Sequence, residues 1–178
     1  RRRRCALSRI WADQLMGNTI SDEMIELSAR EFGSLALESS DEHYGSIHNL
    51  LKPDRGKDMG DGWETRRRRE PGYDWVILKL GRTGVIKKIE IDTGYFKGNF
   101  PHQVSVNAAH LPKDCNKNMA PRSLYWEELL APQYLQMDKQ HFFQDEIKDI
   151  GPLSHIRVNI HPDGGLSRVR FFGQMLQP

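Results

Sequence analysis

One short segment of the chain combines side chains that suit acid–base chemistry and anion binding. Residues 59–69 read Met-Gly-Asp-Gly-Trp-Glu-Thr followed by four arginines. Glycines let a ligand approach the backbone closely, a guanidinium group holds a carboxylate with two hydrogen bonds, and a carboxyl side chain can move protons. The segment therefore favours a site for a small anionic ligand. The residues alone also allow a solvated turn in which these charges pair with each other.

Two later segments carry similar combinations of polar residues and glycines. Residues 89–101 alternate like a strand and then break into a loop of Gly, Asn and Pro. Residues 155–173 hold two strand-like runs on either side of a Pro-Asp-Gly-Gly sequence at 162–165. Pro-Asp-Gly-Gly supplies the backbone conformations of a tight turn, so this segment predicts a β-hairpin.

Together the three segments resemble the allantoicase (allantoate amidinohydrolase) family. The family's DGWET-x-R run stands at 61–67, its DT-x-x-F-x-GN run at 92–99, and its H-x-R-x-x-I-x-PDGG-x-x-R-x-R run at 155–170. The resemblance covers residues 33–173. It implies an all-β, antiparallel, jelly-roll-like β-sandwich of the galactose-binding type. It also implies hydrolysis of one C–N bond of allantoate, which yields ureidoglycolate and urea in purine and allantoin degradation.

The number of motif copies distinguishes this chain from the usual organisation of that family. Allantoicases contain two homologous repeats, whereas this chain carries each motif once. His43-Tyr44-Gly45 and the Met59-Gly60 pair resemble the second, C-terminal repeat. The chain is therefore expected to be one repeat of a larger enzyme or a single-repeat relative. Both cases predict a homo-oligomer or association with a companion repeat, because a lone repeat exposes its usual partner surface.

The chemistry of allantoate sets the residue types that its site needs, because the substrate is a carboxylate with two ureido groups. The resemblance implies Glu64 as the first candidate for the general acid or base, with Asp61 beside it as a partner. Arg67 occupies the arginine position of the first motif and is the best candidate to hold the substrate carboxylate. If this run is a strand, Arg66 and Arg68 face the opposite side. The implied catalytic residues are Glu64, Asp92 and His155, and the implied substrate-binding residues are Asp61, Trp63, Arg67, Asn99, Arg168 and Arg170.

Structural roles are the alternatives for the candidates in the first two motifs. Asp61 can cap its own turn, and Trp63 can wall a pocket or fill the core. Asp92 ends a strand where a glycine loop begins, a place where binding residues often lie. Its alternative is to accept a hydrogen bond from Thr93 or Gly94.

The remaining candidates also have two roles open to them. Asn99 can bind a ureido group or adopt a left-handed backbone conformation. His155 can titrate near neutral pH, although a histidine at the end of a strand is also commonly structural. Arg168 and Arg170 share a strand face. They form either a second anion clamp or ion pairs with the carboxylates of the first motif.

The elements that must position these residues are mostly short strands. Ser21 followed by acidic residues predicts a capped helix over residues 22–32, which Gly33 ends. A largely apolar run then predicts a strand at 74–80, and alternating apolar residues predict strands at 85–92 and 103–109, with a turn at residues 81–84. Many short strands separated by turn signals favour an antiparallel sandwich, whose loops gather at its ends.

Length and composition narrow the class of protein. Residues 1–20 are expected to form a linker or partly ordered arm, and residues 21–178 a single domain. Lys and Arg number 26 against 24 Asp and Glu, and this net charge of +2 predicts no nucleic-acid partner. No apolar run reaches the roughly 18 residues that a membrane-spanning helix requires, so no membrane partner is expected.

Cysteine usage and the start of the sequence bear on the compartment. Cys5 and Cys115 show no metal or redox spacing. The first 20 residues lack the apolar segment of a secretory signal. We therefore expect an intracellular protein, cytoplasmic with a peroxisomal alternative.

Histidine spacing offers weak support for a metal site. His43 and His48 are five residues apart, and His155 and His161 are six apart. Neither pair matches a tight ligand motif, so no metal and no cofactor are predicted. The alternative function is a non-catalytic ligand-binding sandwich module, because one fold hosts many functions.

Overall fold

The computed structural model describes residues 17–111 and 116–177. In these ranges the regular structure is nearly all β-strand, with one short α-helix and three 3₁₀ turns. The strands are β1 (Thr19–Glu26), β2 (Leu35–Ser39), β3 (Trp63–Glu64), β4 (Asp74–Asp92), β5 (Gln103–Ala109), β6 (Glu127–Tyr134), β7 (Gln140–Phe143), β8 (Pro152–His161), β9 (Gly165–Leu166) and β10 (Arg168–Gln177). The helix α1 spans Met119–Ser123, and the 3₁₀ turns span Arg30–Phe32, Ile47–Leu51 and Met59–Asp61.

The strands form two antiparallel layers that share the long strand β4. Its first half pairs with β2 and β8, and β8 continues through β5 to β6. Its second half pairs with β10 and β7, and β10 continues to β1. A buried apolar core that includes Val76, Ile91, Val106, Ile156 and Phe171 joins residues of both halves. The predicted all-β antiparallel sandwich is confirmed. In the described ranges, no helix is long and apolar enough to cross a membrane.

The predicted helix at residues 22–32 is wrong. The segment forms most of β1, which pairs with β10, and then a 3₁₀ turn. Pairing such as that of Ile25 with Gly173 supplies long-range contacts, whereas a helix of this length is marginal without tertiary packing. Gly33 does end the turn, with a left-handed φ of 88°. The predicted arm at residues 1–20 lies largely outside the described residues, as do both cysteines.

The glycine-rich segment at residues 81–84 takes the chain from one layer to the other. The backbone stays extended throughout β4, but its register with β8 shifts between Lys79 and Gly84. Both ends of β4 form hydrogen bonds with the segment that connects β8 to β10. The Asp74 N–H donates to Pro162 O at 3.1 Å, and the Ser167 N–H donates to Asp92 O at 2.7 Å. The predicted turn at residues 81–84 is wrong, because these residues lie within the continuous strand β4.

The hairpin predicted around the Pro-Asp-Gly-Gly sequence at 162–165 is wrong. The strands on either side of it, β8 and β10, each pair with β4 and not with each other. The connection therefore passes between the two layers at one end of the sandwich. It contributes β9, in which Leu166 pairs with Trp63 of β3. Gly164 has a φ of 125°, which explains the need for glycine at that position.

Candidate active site

The three motif segments meet at the end of the sandwich where β3 and β9 pair. The Thr65 N–H donates to Gly164 O at 3.0 Å, which joins the first motif to the third. The Gly165 N–H donates to Asn99 O at 2.8 Å, which joins the third motif to the second. These hydrogen bonds confirm the prediction that the motif loops gather at one end.

A phenylalanine of the second motif fills the space between the first and third motifs. Phe96 is fully buried. A Cβ atom on Gly62 would lie 2.9 Å from the Phe96 ring, and a Cβ atom on Gly165 would overlap it. Glycine is needed at both positions because the ring approaches the backbone closely. The sequence suggested that such glycines admit a ligand, whereas here they admit a side chain of the protein itself.

Glu64 and Asn99 lie side by side at this meeting point, and both are half-buried. Glu64 Oε1 accepts a hydrogen bond from Asn99 Nδ2. Asn99 does not have the left-handed backbone that was its alternative role. The pair places a carboxylate acceptor beside an amide with both donor and acceptor atoms, a combination that can recognise a ureido group.

Asp61 is engaged by two cations. Its Oδ1 accepts a hydrogen bond from Lys52 Nζ, and its Oδ2 accepts one from Arg168 Nη2 at 2.9 Å. The bonds from Lys52 and Arg168 lower the pKa of Asp61 from 3.8 to about 2, so the group stays ionised near neutral pH. The turn-capping role offered for Asp61 belongs to Asp58, whose Oδ1 accepts from the Asp61 N–H at 3.0 Å.

Arg168 and Arg170 bind the protein's own chain. Arg168 is fully buried, and all five of its side-chain N–H donors are used, including bonds to Asp61 O at 2.6 Å and Asp54 O at 2.8 Å. Arg170 Nη2 donates to Pro53 O at 3.0 Å. These contacts support the alternative of internal pairing for Arg168, and they do not fit a second anion clamp. In this structure Arg168 is left without a free guanidinium donor.

Asp92 is buried beneath an arginine that the sequence analysis did not single out. Arg55 Nε lies 3.2 Å from Asp92 Oδ2, and the Gly94 N–H donates to Asp92 Oδ1 at 2.8 Å. The hydrogen bond to Asp92 raises the pKa of Arg55. Asp92 therefore makes the turn contact that was its alternative role. A ligand arriving from solvent meets the exposed Arg55 before the carboxylate.

Trp63 belongs to the core, as one of its two predicted roles stated. It is fully buried, and its indole N–H donates to Asp41 O at 2.8 Å. In this structure Trp63 therefore has no surface exposed to a cavity or to solvent. In the described ranges, no group of three or more His, Cys, Asp or Glu residues is placed to hold a metal ion.

The arginine run borders a cavity of about 460 Å³, here called the arginine cavity. The run is not a strand, so the predicted alternation of Arg66 and Arg68 against Arg67 does not apply. Arg68 Nη1 lies 3.0 Å from Asp74 Oδ1, and Arg66 Nε lies 3.9 Å from Asp41 Oδ1. The arginine cavity is lined by Ser40, Asp41, His43, Tyr44, Arg66, Arg67, Arg68, Arg69, Glu70 and Asp74.

The third motif fixes the backbone of the arginine run. Asp163 Oδ2 accepts a hydrogen bond from the Arg68 N–H at 2.6 Å. Arg68 is thus held at both its backbone and its side chain. Among the described residues, neither Arg67 nor Arg69 forms an ion pair, and both are exposed. These two guanidinium groups are therefore available to an anion in the cavity.

His155 lies far from the motif loops along β8. It pairs with Lys79 of β4, whereas Ile160 pairs with Asp74 at the motif end. His155 is fully buried, and its ring lies 6.1 Å from that of Trp126. Burial, followed by nearby positive charges, lowers its pKa from 6.5 to about 4. The structure does not bring His155 together with Glu64 and Asp92.

Another residue of the third motif, Arg157, was not among the predicted site residues. It is buried beside His155 on the same face of β8. Arg157 Nη1 donates to Ser123 Oγ at 2.6 Å, and its guanidinium group lies 4.7 Å from the centre of the Trp75 ring. Burial lowers the pKa of Arg157. The sequence feature that could have identified Arg157 is its place in the H-x-R part of the third motif. In the structure Arg157 has a packing role.

Lowering the pH should destabilise the folded state through protonation of His155 in the unfolded chain. Because its pKa is about 4 in the folded chain and 6.5 ordinarily, the unfolded state takes up a proton between these values while the native state does not. The free energy of unfolding should therefore fall by about 3 kcal/mol from this group as pH drops from 7 to 4. Urea unfolding across this range should show a steeper loss for the natural chain than for His155→Phe. Equal slopes would contradict the prediction, and exposed His43→Phe is the control.

The fold and the convergent loops define a galactose-binding-like β-sandwich with an arginine-lined cavity at its loop end. An F5/8 type C domain from Bacteroides fragilis shares the fold, with a TM-score of 0.60 at 11% identity over 88% of this chain and 97% of that one. The family profile of the allantoicase repeat matches residues 25–176. The chain belongs to the allantoicase repeat family.

Two relatives show how much of a family member this chain represents. A probable allantoicase of Acinetobacter baumannii is 47% identical over 167 residues, which cover 94% of this chain and 50% of that protein. The crystal structure of allantoicase from Saccharomyces cerevisiae matches with a TM-score of 0.73 at 38% identity, over 87% of this chain and 45% of that one. The chain spans about half the length of the curated relatives it matches.

Proposed function

We propose that this chain is one repeat of an allantoicase and takes part in hydrolysing allantoate to ureidoglycolate and urea. The observation that carries the proposal is the arginine cavity next to the first motif. The Tyr44 N–H, from a residue that lines this cavity, donates to Glu64 O at 3.1 Å. Membership of the allantoicase repeat family supports the same function.

The charge of the arginine cavity suits a singly charged anion. Its described lining holds four arginines against three carboxylates, Asp41, Glu70 and Asp74. With neutral histidine, one positive charge is left over, which matches the single carboxylate of allantoate. We assign carboxylate binding to Arg67, because it is exposed and forms no ion pair among the described residues.

The hydrogen-bond partners of the motif carboxylates separate their roles. Asp61 and Asp92 are each held by cations, whereas Glu64 is bonded to the neutral amide of Asn99. A carboxylate bound to a cation is a poor proton acceptor, because that cation favours its ionised form. We therefore assign proton transfer to Glu64 and recognition of a ureido group to Asn99.

The direct test is to incubate the purified chain with allantoate and to measure urea and ureidoglycolate. Release of both products supports the proposal. Saturable binding of allantoate without product would instead identify the non-catalytic binding module. If neither binding nor product is detected, with the chain alone and with the chain joined to its companion repeat, both functions are contradicted.

Arg67→Lys should mainly raise KM for allantoate, by roughly tenfold, because lysine keeps the charge but loses the two-pronged hydrogen bond. The kcat value should stay close to that of the natural chain. Steady-state kinetics across a range of allantoate concentrations measures both constants. Arg30→Lys, on an exposed turn outside the cavity, is the matched control. An unchanged KM in Arg67→Lys would remove Arg67 from the proposed site.

Association with a companion repeat or a second copy is part of the proposed function. Each motif occurs once, and three large apolar side chains near β6 are strongly exposed, namely Leu124, Tyr125 and Tyr134. Exposed apolar surface tends to be buried by association. Sedimentation velocity at micromolar concentration should show a dimer or larger species, or a complex once the companion repeat is added. A monomer with full activity would contradict this part of the proposal.

A further inference from the structure

The connection between β6 and β7 lies outside the three motifs and contacts the second of them. Its residues 136–139 are here called the 136–139 turn. Lys139 O accepts a hydrogen bond from the Thr93 N–H at 2.9 Å, and the Lys139 N–H donates to Thr93 Oγ1 at 3.0 Å. Thr93 is fully buried, and its hydroxyl group also donates to Gln136 O at 2.6 Å. The threonine of the second motif is therefore held by a segment that belongs to none of the motifs.

Asp138 extends these contacts to the next residues of the second motif. Its Oδ1 accepts a hydrogen bond from the Tyr95 N–H at 2.7 Å, and its own N–H donates to Phe96 O at 3.3 Å. The two bonds run in opposite directions between the same two segments, so they fix the 136–139 turn and the motif loop relative to each other. They reach Phe96, whose ring lies between Gly62 and Gly165.

Tyr95 has a backbone conformation that tyrosine rarely adopts. Its φ is 70°, in the left-handed region. This region is unfavourable for a residue with a Cβ atom, and such a conformation persists only where surrounding contacts determine it. The bond from the Tyr95 N–H to the Asp138 carboxylate is a contact of this kind. Asp138 itself has a φ of 50°, which aspartate and asparagine tolerate better than most residues.

The 136–139 turn is held to the sandwich through His141 of β7. The Gln136 N–H donates to His141 Nε2 at 2.9 Å, so the proton of the neutral ring sits on Nδ1, which donates to Ile91 O at 3.1 Å. Burial lowers the pKa of His141, which favours this neutral ring. Ile91 is the residue of β4 that pairs with His141, directly before the second motif. The turn therefore has a fixed position from which it restrains the motif loop.

We propose that Asp138 is a positioning residue that holds the second motif in its substrate-binding conformation. Its carboxylate keeps the Tyr95 backbone in the left-handed region, and the loop that follows then places Asn99 beside Glu64. Asn99 Nδ2 donates to Glu64 Oε1, and Asn99 lies in the same short loop as Tyr95. The effect on substrate binding rests on the function proposed above, whereas the effect on the loop conformation does not.

Two substitutions at Asp138 separate its carboxylate from its backbone. Asp138→Gly removes the acceptor, while glycine adopts a φ of 50° without strain. Asp138→Asn keeps an acceptor oxygen and tolerates the same φ. In hydrogen exchange followed by NMR, the Tyr95 amide should exchange roughly tenfold faster in Asp138→Gly but within about threefold of the natural rate in Asp138→Asn. Unchanged exchange in Asp138→Gly, or equal acceleration in the two variants, would overturn the proposal.

Substitution of Tyr95 tests whether its backbone conformation is the reason. Glycine adopts a φ of 70° freely, so Tyr95→Gly makes the carboxylate unnecessary. Asp138→Gly should shift the NMR signals of the Asn99 side-chain amide, and the shift should be roughly half as large or smaller when Tyr95→Gly is also present. Asp145→Gly, which changes an exposed aspartate in the turn after β7, is the matched control and should leave these signals unchanged. Equal shifts with and without Tyr95→Gly would contradict the proposal.

Steady-state kinetics tests the effect on substrate binding. Asp138→Gly should raise KM for allantoate by roughly threefold to tenfold with kcat within about twofold, because Asn99 is assigned to substrate recognition and Glu64 to proton transfer. Asp138→Asn should restore the natural KM. An unchanged KM in Asp138→Gly, when the natural chain is active, would refute the role in binding. If the natural chain shows no turnover, alone and with its companion repeat, the proposed function fails, and the exchange rates and Asn99 signals decide the role of Asp138.

Discussion

Glu64→Gln is expected to lower kcat for allantoate hydrolysis by roughly 100-fold or more, because glutamine keeps the shape and the contact with Asn99 but cannot carry a proton. The Glu64 carboxylate is the motif acid that is bonded to a neutral amide, while Asp61 and Asp92 are held by cations. Steady-state kinetics between pH 5 and 9 measures the effect. The measurement uses the form that is active, either the chain alone or the chain joined to its companion repeat.

The control for that experiment is Glu127→Gln, which changes an exposed glutamate on β6. It should leave kcat and its pH profile unchanged. If Glu64→Gln keeps its kcat per folded molecule but unfolds more readily, Glu64 is part of a structural network. Catalysis must then be sought elsewhere among the motif residues, beginning with Asp92 and the adjacent Arg55.

Arg168→Met is expected to reduce the free energy of unfolding by about 3–5 kcal/mol, the cost of removing one partner from a buried ion pair. The change leaves Asp61 O without its guanidinium donor, removes one of the two guanidinium donors to Asp54 O, and takes one cation from Asp61. Urea unfolding monitored by tryptophan fluorescence measures the loss. Lys52 still contacts Asp61, and Arg170 of β10 still donates to Asp54 O, so the loop at 54–62 keeps part of its pairing and of its anchor to β10.

The matched control for that loss is Arg67→Met, which removes the same group from an exposed position. Its effect on unfolding should stay within about 0.5 kcal/mol, as is usual for surface substitutions. Equal stabilities of the two variants would show that the buried network around Arg168 contributes nothing beyond an exposed arginine. The two arginines are thereby assigned opposite roles, one in stability and one in binding.

Sequence pattern was sufficient for the strands that have strict alternation or a continuous apolar run. The predicted strand from Gln103 to Ala109 coincides with β5, and the predicted run at 74–80 forms the first half of β4. In these segments the side-chain period and the burial agree, so local and long-range preferences favour the same structure. The convergence of the motif loops was predictable for the same reason, since a sandwich places its connections at its ends.

Prediction failed where pairing partners far along the chain decide the outcome. The cap pattern at Ser21 favours a helix locally, but the open edge of β10 pairs with the segment and makes it a strand. The Pro-Asp-Gly-Gly sequence has true turn chemistry, yet its flanking strands lie in different layers on either side of β4. Neither fact can be read from a local window, because both depend on the order of strands in the sheets.

The candidate site was predictable in its residue types but not in its partners. Pairing of Arg168 with Asp61 was one of two alternatives, and the structure supports it. Arg55 escaped notice because it lies 37 residues before Asp92 and outside every motif. His155 was grouped with the motif carboxylates because it belongs to a motif. In the structure, six residues of extended strand separate His155 from the end of the sandwich where the motif loops meet. Motif membership indicates importance for the fold or the function, and only geometry distinguishes the two.

The position of Phe96 between Gly62 and Gly165 determines how the loop end of the sandwich can fluctuate. Because the ring touches both glycines, no motif loop can swing outward without exposing it, at a cost of roughly 1.5–3 kcal/mol. The hydrogen bonds donated by Thr65 and Gly165 cross between the same loops. Their amide protons should therefore exchange with solvent through one shared opening event. We therefore expect the loops around the proposed substrate to open and close together, so that one binding event orders all three.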